Sequence, residues 1–155
     1  MVKKINIEQQ LNIILKKTDK QLQDIADEIC KTVKIQLQYN LKKHWYDTYN
    51  PKSYHRTWEL FNSITGKIIH KKLGDFEIIV YFDTDKIYAV ENDDFWNYHM
   101  GFDKQAFIDG LISSIEHGMK GSRINPRRGD VAHMVEFTQD WANQYARQLL
   151  KKKLL

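Results

Sequence analysis

The sequence has few of the residues that cross-link a chain or interrupt a helix. It contains one cysteine, Cys30, and two prolines in 155 residues. A single thiol excludes an internal disulfide and a zinc site built from several cysteines. The surrounding residues, ADEICKTV, place Cys30 beside the apolar face of a helix. We therefore predict a buried, unreactive thiol, because nothing nearby promises a lowered pKa or a positioned base.

Long apolar runs are missing too. No stretch approaches the ~18 apolar residues that read as a membrane-spanning helix. Polar residues interrupt the apolar part of the first segment, MVKKINIEQQLNIILKK, at helical spacing, unlike the unbroken apolar region of a secretory signal. We expect no membrane partner, and a protein of the cytosol or of something assembled there.

Familiar catalytic and cofactor motifs do not occur. The chain lacks GxxxxGK[ST], GxGxxG and GxSxG. No histidine pair has the HxxxH or HExxH spacing that puts two metal ligands on one helix face. The six histidines are His44, His55, His70, His99, His117 and His133. We predict no cofactor, no metal and no catalytic residues, and we favour a non-enzymatic role.

One metal-dependent alternative stays open. Asp83, Asp85 and Glu91 lie near a predicted strand end, where a nuclease binds divalent metal through carboxylate oxygens. Aspartates are also common in turns because their side chains hydrogen-bond the local backbone. The second interpretation needs no metal.

Arginine is scarce relative to lysine. The formal net charge is +4, and the 24 basic residues comprise 19 lysines and 5 arginines. Arginine is the usual choice for bidentate recognition of phosphates and bases, so this balance argues against sequence-specific DNA reading. Three of the arginines fall in one predicted loop, KGSRINPRRGD, whose basic residues are Lys120, Arg123, Arg127 and Arg128. Phosphate contact, an acidic protein partner and a solvated loop are all compatible with it.

A long amphipathic helix is the main feature that is present. The apolar stripe is formed by Leu11, Leu15, Leu22, Ile25, Ile29, Val33, Leu37 and Leu41. Thr18 and Gln21 resemble a capping box, which allows a fresh helix start there. From Asp19 to about Thr48 there is no Pro or Gly, and a helix over that range would be about 45 Å long. We infer that this helix projects, or that its stripe continues onto a neighbouring subunit.

The remaining segments predict an α+β fold. It consists of a long N-terminal helix, a small mostly antiparallel β-sheet and two C-terminal helices, in a single domain over 1–155. The predicted segments are a helical part at 1–48, a joint at 49–63, a β-sheet at 64–91 and helices within 103–152. The sheet prediction includes a hairpin turning at Leu73-Gly74-Asp75 and a third strand over Lys86–Glu91. The last helix is predicted from about Val131 to Leu150, after a Gly118 C-cap on the preceding one.

The joint, YNPKSYHRTWELFNS, supports two interpretations. His55, Arg56 and Glu59 are a histidine, an arginine and a carboxylate within five positions, as in an active site. Alternatively, Pro51 ends the long helix and a short helical turn carries Trp58 and neighbouring aromatics on one face. Arg56 and Glu59 would then form a surface or interface pair. The structural interpretation accounts for the segment without catalysis.

This same stretch resembles a segment of small tailed-phage morphogenesis proteins. The resemblance rests on Tyr49-Asn50-Pro51, Tyr54-His55-Arg56-Thr57, Leu60 and Asn62-Ser63-Ile64. In tail-completion and head–tail joining (neck) proteins, a long N-terminal helix precedes a Y-x-R-T-x-x-L-x-x-S-I-like stretch and a β-sheet. The run Ile115–Gly118 and the closing amphipathic helix are similar to the C-terminal half of related phage proteins. An E-F-G-T-like segment of that family is replaced here by NDDFWNYHMGFD.

The resemblance implies a structural virion protein assembled in the host cytoplasm. It would join or complete the tail as a subunit of a homo-oligomeric ring, beside neck, adaptor or tail-tube proteins. The residues that would pack the joint or a subunit contact are Tyr54, Arg56, Thr57, Trp58 and Leu60. The basic loop would face DNA in a lumen or an acidic partner. A nucleic-acid-binding module and the metal-dependent nuclease remain as alternatives.

Overall fold

The structure is a computed structural model, and it describes residues 7–47, 58–87, 104–117 and 133–154. The elements are helix α1 (Ile7–Leu41), a π-helical turn (Lys42–Tyr46), α2 (Glu59–Ser63), strands β1 (Ile64–Lys72) and β2 (Asp75–Phe82), α3 (Lys104–His117) and α4 (Met134–Leu154). The predicted α+β architecture, with its long first helix, antiparallel strands and C-terminal helices, is confirmed.

Helix α1 is unbroken over 35 residues, or about 52 Å. The fresh start considered at Thr18-Asp19 does not occur, because both residues lie within the helix. The α-helical part ends earlier than predicted, at Leu41, where the backbone widens into the π-turn. Pro51, the predicted terminator, lies outside the described residues.

Strands β1 and β2 form an antiparallel hairpin, with Ile64 opposite Phe82 and Ile68 opposite Ile78. Leu73 and Gly74 make the turn, and Gly74 has the positive φ of 77° that favours glycine. The prediction that a third strand begins at Lys86 is wrong, because Thr84–Lys86 form a 3₁₀ turn after the sheet. Residues 88–91 lie outside the described part of the chain.

The hairpin lies along α1 at close range. A Cβ added to Gly66 would sit 2.6 Å from Cys30 Sγ, so only glycine lets the strand approach the helix here. At the hairpin tip, the backbone N–H of Gly74 donates to Asp19 Oδ1 at 2.6 Å. The hairpin therefore covers one flank of α1 from Cys30 back to Asp19.

Helix α4 packs antiparallel to α1. Asn40 Nδ2 donates to Thr138 Oγ1 at 2.9 Å near one end of the contact, and Glu28 bonds Lys153 near the other. Helix α4 begins at Met134, later than the predicted Val131, because His133 has a left-handed backbone with φ 43°. It ends at Leu154 rather than Leu150, and Gly118 after α3 lies outside the described residues.

Two hydrophobic clusters hold these elements together. The larger consists of Leu37, Leu41, Tyr46, Leu60, Ile64, Ile87, Ile108, Ile115 and Met134. The smaller joins Ile25 and Ile29 of α1 to Leu149 of α4, with Ile78 of the hairpin packed against it. The core thus lies along the second half of α1.

Candidate interaction surfaces

The predicted joint is partly described. Tyr54, Arg56 and Thr57 lie outside the described residues, so the expected Arg56–Glu59 pair stays a prediction. Leu60 is buried in the larger hydrophobic cluster and therefore packs the joint from inside. Trp58 is 37% exposed at its surface.

Trp58 joins the end of the long helix to the start of the sheet region. Its ring stacks on buried Tyr46 of the π-turn, with centroids 4.5 Å apart, and meets Phe61 edge-on at 5.9 Å. Trp58 also has φ 61° and ψ 10°, a left-handed conformation that is strained for a bulky residue. The stacking offsets this strain and ties the two backbone segments together.

The π-turn itself is closed by a charge pair. Asp47 N–H donates to the Lys42 carbonyl at 2.8 Å, which is the long-ring hydrogen bond of a π-helix. Lys42 Nζ lies 2.8 Å from both carboxylate oxygens of Asp47. The turn directs Tyr46 inward, where it becomes the platform for Trp58.

Helix α4 carries an aromatic row at intervals of four residues. The row is His133, Phe137, Trp141 and Tyr145. Phe137 lies 5.8 Å from the His133 ring and 5.6 Å from the ring of His44 in the π-turn, and Trp141 stacks on Tyr145 at 5.0 Å. Phe137 is nevertheless 46% exposed, so these ring contacts leave almost half of it open to solvent.

Exposed apolar residues of α1 lie on the same side of the helix pair. Ile35 and Tyr39, one turn apart, are 63% and 52% exposed. Successive helical residues differ by about 100°, so in an antiparallel pair the residues preceding bonded Asn40 and Thr138 point to the same side. Those residues are Tyr39 and Phe137. We define the outer face as Ile35, Tyr39, Phe137 and Trp141.

The outer face is not evident from the strongest periodicity of the sequence. The apolar stripe of α1 rests on its strongest periodic positions, and Ile35 and Tyr39 lie outside that stripe. Ile35 and Tyr39 are four residues apart, so they lie on one side of the helix, and that side is not the one that faces the core. This spacing is the sequence signal of a second apolar face. Lys43 Nζ lies 5.6 Å from the Tyr39 ring centroid, so a charged group borders this face.

Leu15, near the start of α1, is a second exposed apolar position. Leu15 belongs to the same stripe as Ile25 and Ile29, yet it is 43% exposed whereas they are buried. Lys16, Lys17 and Thr18 beside it are exposed as well. We call residues 7–18 the leading end.

Glu116 shows how an acidic side chain is used inside the fold. It is buried, and its two carboxylate oxygens accept hydrogen bonds from the backbone N–H groups of Val135 and Glu136 at 3.0 and 3.1 Å. The carboxylate of α3 therefore caps the positive N-terminal end of α4. It borders an open groove of about 490 Å³ between these helices.

The other predicted chemical sites have local roles or lie outside the description. Asp83 Oδ1 accepts from the Asp85 N–H at 3.2 Å, and Asp83 pairs with Lys86, so the carboxylate organises the 3₁₀ turn. Glu91 and the basic loop with Lys120, Arg123, Arg127 and Arg128 lie outside the described residues. In the described ranges, no group of three or more His, Cys, Asp or Glu side chains is arranged to hold a metal ion.

Cys30 is buried against the hairpin, as expected. Burial raises the pKa of its thiol above the usual value, with nearby Asp27 adding to the effect. A smaller fraction of Cys30 is therefore in the reactive thiolate form than for an exposed cysteine. Within the described part of the chain, no helix is both long and apolar enough to cross a membrane.

Comparison with known proteins gives one family match. The model of a family described as YomN matches residues 6–155, nearly the whole chain. No curated protein and no solved structure shows a significant match.

Proposed function

Since the chain belongs to the YomN family, a Bacillus phage-derived protein family, and is therefore phage-related, we propose that it is a structural protein of the virion. It joins or completes the tail at the phage neck or tail end, as one subunit of a homo-oligomeric ring. Neighbouring neck, adaptor or tail-tube proteins are its proposed partners. No cofactor and no catalytic step belong to this role.

The outer face is the observation that supports the proposal best. Ile35, Tyr39 and Phe137 are each about half exposed, and they lie together on one side of the helix pair. Scattered single apolar residues are normal on a surface, but a grouped set marks an interaction site. Burying such a surface contributes roughly 25 cal/mol per Å² before the costs of association are subtracted. A repeated contact between subunits would cover it.

The joint fits a structural role as well. Its described aromatics are used for packing, since Trp58 stacks on Tyr46 and meets Phe61 edge-on. Leu60 anchors the same segment in the core. A rigid connection between the long helix and the hairpin suits a subunit whose two ends contact different neighbours.

Purified virions of the phage that encodes the chain test the location. Quantitative mass spectrometry of gradient-purified particles should detect the chain at a fixed, small copy number relative to the major tail protein. Immunogold labelling should then place it at one end of the tail. Its absence from particles that contain the other tail proteins would contradict the proposal.

The purified chain tests assembly separately. Light scattering coupled to size-exclusion chromatography should give a mass several times that of one chain, and negative-stain electron microscopy should show closed rings. A strict monomer at the highest soluble concentration would contradict the proposed ring.

A further inference from the structure

The stripe of α1 extends beyond the helix that covers it. From Ile25 onward the stripe packs on α4, in the cluster that includes Leu149. The antiparallel register places Glu28 beside Lys153, so α4 reaches its last described residue, Leu154, close to this level of α1. Upstream of that level the stripe has no α4 opposite it.

The hairpin covers the apolar stripe of α1 only a little further toward the N-terminus of the helix. Its tip meets α1 at Asp19, which bonds the Gly74 N–H, and at Leu22, whose Cδ1 lies 3.8 Å from the position of a Gly74 Cβ. Leu15 is one turn beyond Asp19 and is exposed. The sequence continues the pattern with Leu11 one turn before Leu15. The leading end is therefore an amphipathic helix end that its own chain leaves uncovered at Leu15.

The outer face lies within a longer surface of α4 whose length is similar to that of the leading end. Residues 7–18 span about 18 Å at the rise of an α-helix. The aromatic row from His133 to Tyr145, which includes Phe137 and Trp141 of the outer face, extends over a similar distance of about 18 Å. Two adjacent antiparallel helices with exposed side chains along their shared edge form a groove into which a third amphipathic helix can pack.

Charge favours the same pairing. The leading end exposes Lys16 and Lys17, while Glu136 and Asp140 are exposed beside Phe137, both on the side of α4 that faces away from α1. These acidic side chains border the outer face on its α4 edge, whereas Lys43 borders it beside Tyr39 on the α1 edge. Basic residues at the edge of one surface and acidic residues at the edge of the other steer the two together and oppose self-pairing of either.

We propose that the leading end of one copy packs into the outer face of the next copy. This inference rests on the proposed ring and names its subunit contact. The two surfaces are different, so the contact is head-to-tail, and each copy offers one of each surface. Repetition of such a contact closes a ring when the rotation between copies permits. The occupant of the outer face is thus a second copy of this chain.

Complementation between two full-length variants tests the contact. Leu15→Glu disables the leading end and leaves the outer face intact, whereas Phe137→Glu does the reverse. Matched controls with the same change of charge are Gln21→Glu on α1 and Asn143→Glu on α4, both at exposed positions. Circular dichroism checks that each variant folds, and Ile35→Glu, at the most exposed position, replaces Phe137→Glu if that variant does not.

The head-to-tail contact makes a specific prediction for light scattering. Each interface variant alone should lose the oligomer and run as a monomer, while both controls keep the wild-type mass. An equimolar mixture of Leu15→Glu and Phe137→Glu should recover a dimer, because one intact contact remains between unlike copies. Adding Ile35→Glu to the Leu15→Glu chain removes the last intact outer face in the mixture. The mixed dimer should then disappear.

Three other outcomes would overturn the inference. Loss of assembly in Phe137→Glu alone, with no effect of Leu15→Glu, would mean that outer faces pair symmetrically. An oligomer that survives both substitutions would place the subunit contact elsewhere and leave the proposed ring intact. A wild-type chain that stays monomeric at the highest soluble concentration would overturn both the contact and the ring.

Discussion

The two parts of α1 have the same kind of sequence and opposite environments. Leu41, near the end of the helix, is fully buried among α2, the hairpin and the C-terminal helices, whereas Leu15, near its start, is 43% exposed. Both belong to one apolar stripe. Periodicity specifies which side of a helix is apolar, but the lengths of α4 and the hairpin decide how much of that side is covered.

Helix α4 shows the same contrast across its width. Thr138 is buried and bonded to Asn40, while Phe137, the residue before it, is exposed. A polar side chain is inside and an aromatic one is outside, the reverse of the simple expectation. This inversion at one level of the helix pair follows from the Asn40–Thr138 hydrogen bond, which turns Thr138 inward and leaves Phe137 on the outer face.

The largest effect is expected for Leu41→Ala, when it is compared with the same substitution, Leu15→Ala, near the other end of α1. Leu41→Ala removes a fully buried side chain and should lower the free energy of unfolding by about 2–5 kcal/mol. Leu15→Ala should change it by no more than about 0.5 kcal/mol in the dilute monomer, because the side chain is exposed there. Urea denaturation of both variants measures the difference. Equal losses would mean that the leading end is covered within its own chain.

The close approach of the hairpin to the buried half of α1 gives the next effect. Gly66→Ala places a methyl group 2.6 Å from Cys30 Sγ and should destabilise the fold by about 1–3 kcal/mol. Combining it with Cys30→Ala should recover part of the loss, since the opposing sulfur is gone. Thermal unfolding of the four chains of this cycle provides the measurement. Strict additivity would show that the two residues do not touch.

Two substitutions of one residue separate stacking from strain at the joint. Trp58→Ala loses the stack on Tyr46 and keeps a left-handed backbone at a residue with a Cβ. Trp58→Gly loses the same ring but adopts that backbone freely, so it should be more stable than Trp58→Ala by about 1 kcal/mol. Chemical denaturation of both distinguishes them. A less stable glycine variant would refute the strain at this position.

The smallest effect concerns the exposed charge pair where α4 ends beside α1. The hydrogen bond from Lys153, aided by Tyr145, lowers the pKa of Glu28 below its ordinary value of 4.5. The carboxylate is therefore more acidic in the folded state, so its contribution is present above pH 4.5 and is lost as the pH falls through the lowered pKa. Glu28→Gln should flatten this part of the stability profile measured by thermal unfolding. High salt should weaken the Glu28–Lys153 pair in the wild type. If the loss of stability at acid pH is the same in Glu28→Gln as in the wild type, the assignment to Glu28 is contradicted.

Much of the fold followed from local pattern. The stripe with no Pro or Gly predicted α1. The hairpin was predicted because Ile64, Gly66 and Ile68, and then Phe76, Ile78 and Val80, each fall at every second position. The turn at Gly74 followed from its position between the two runs. These are features in which neighbouring residues determine the backbone.

The errors share a different cause. The π-turn after Leu41 and the left-handed Trp58 are joined by a stack between residues twelve positions apart, a contact that no local pattern encodes. The 3₁₀ turn at Lys86 replaced a predicted strand start because Asp83 caps the local backbone. The outer face also escaped prediction, since it requires the register of α1 against α4 to be known.

The exposure of Leu15 in one copy, and its cover by another, is the central claim, and thiol labelling tests it directly. In the Leu15→Cys chain, the introduced thiol should react rapidly with a maleimide at low protein concentration and more slowly as the concentration rises and copies associate. The buried Cys30 in the same chain should react slowly throughout and serves as the internal reference. A labelling rate at position 15 that is the same at every concentration would contradict the account.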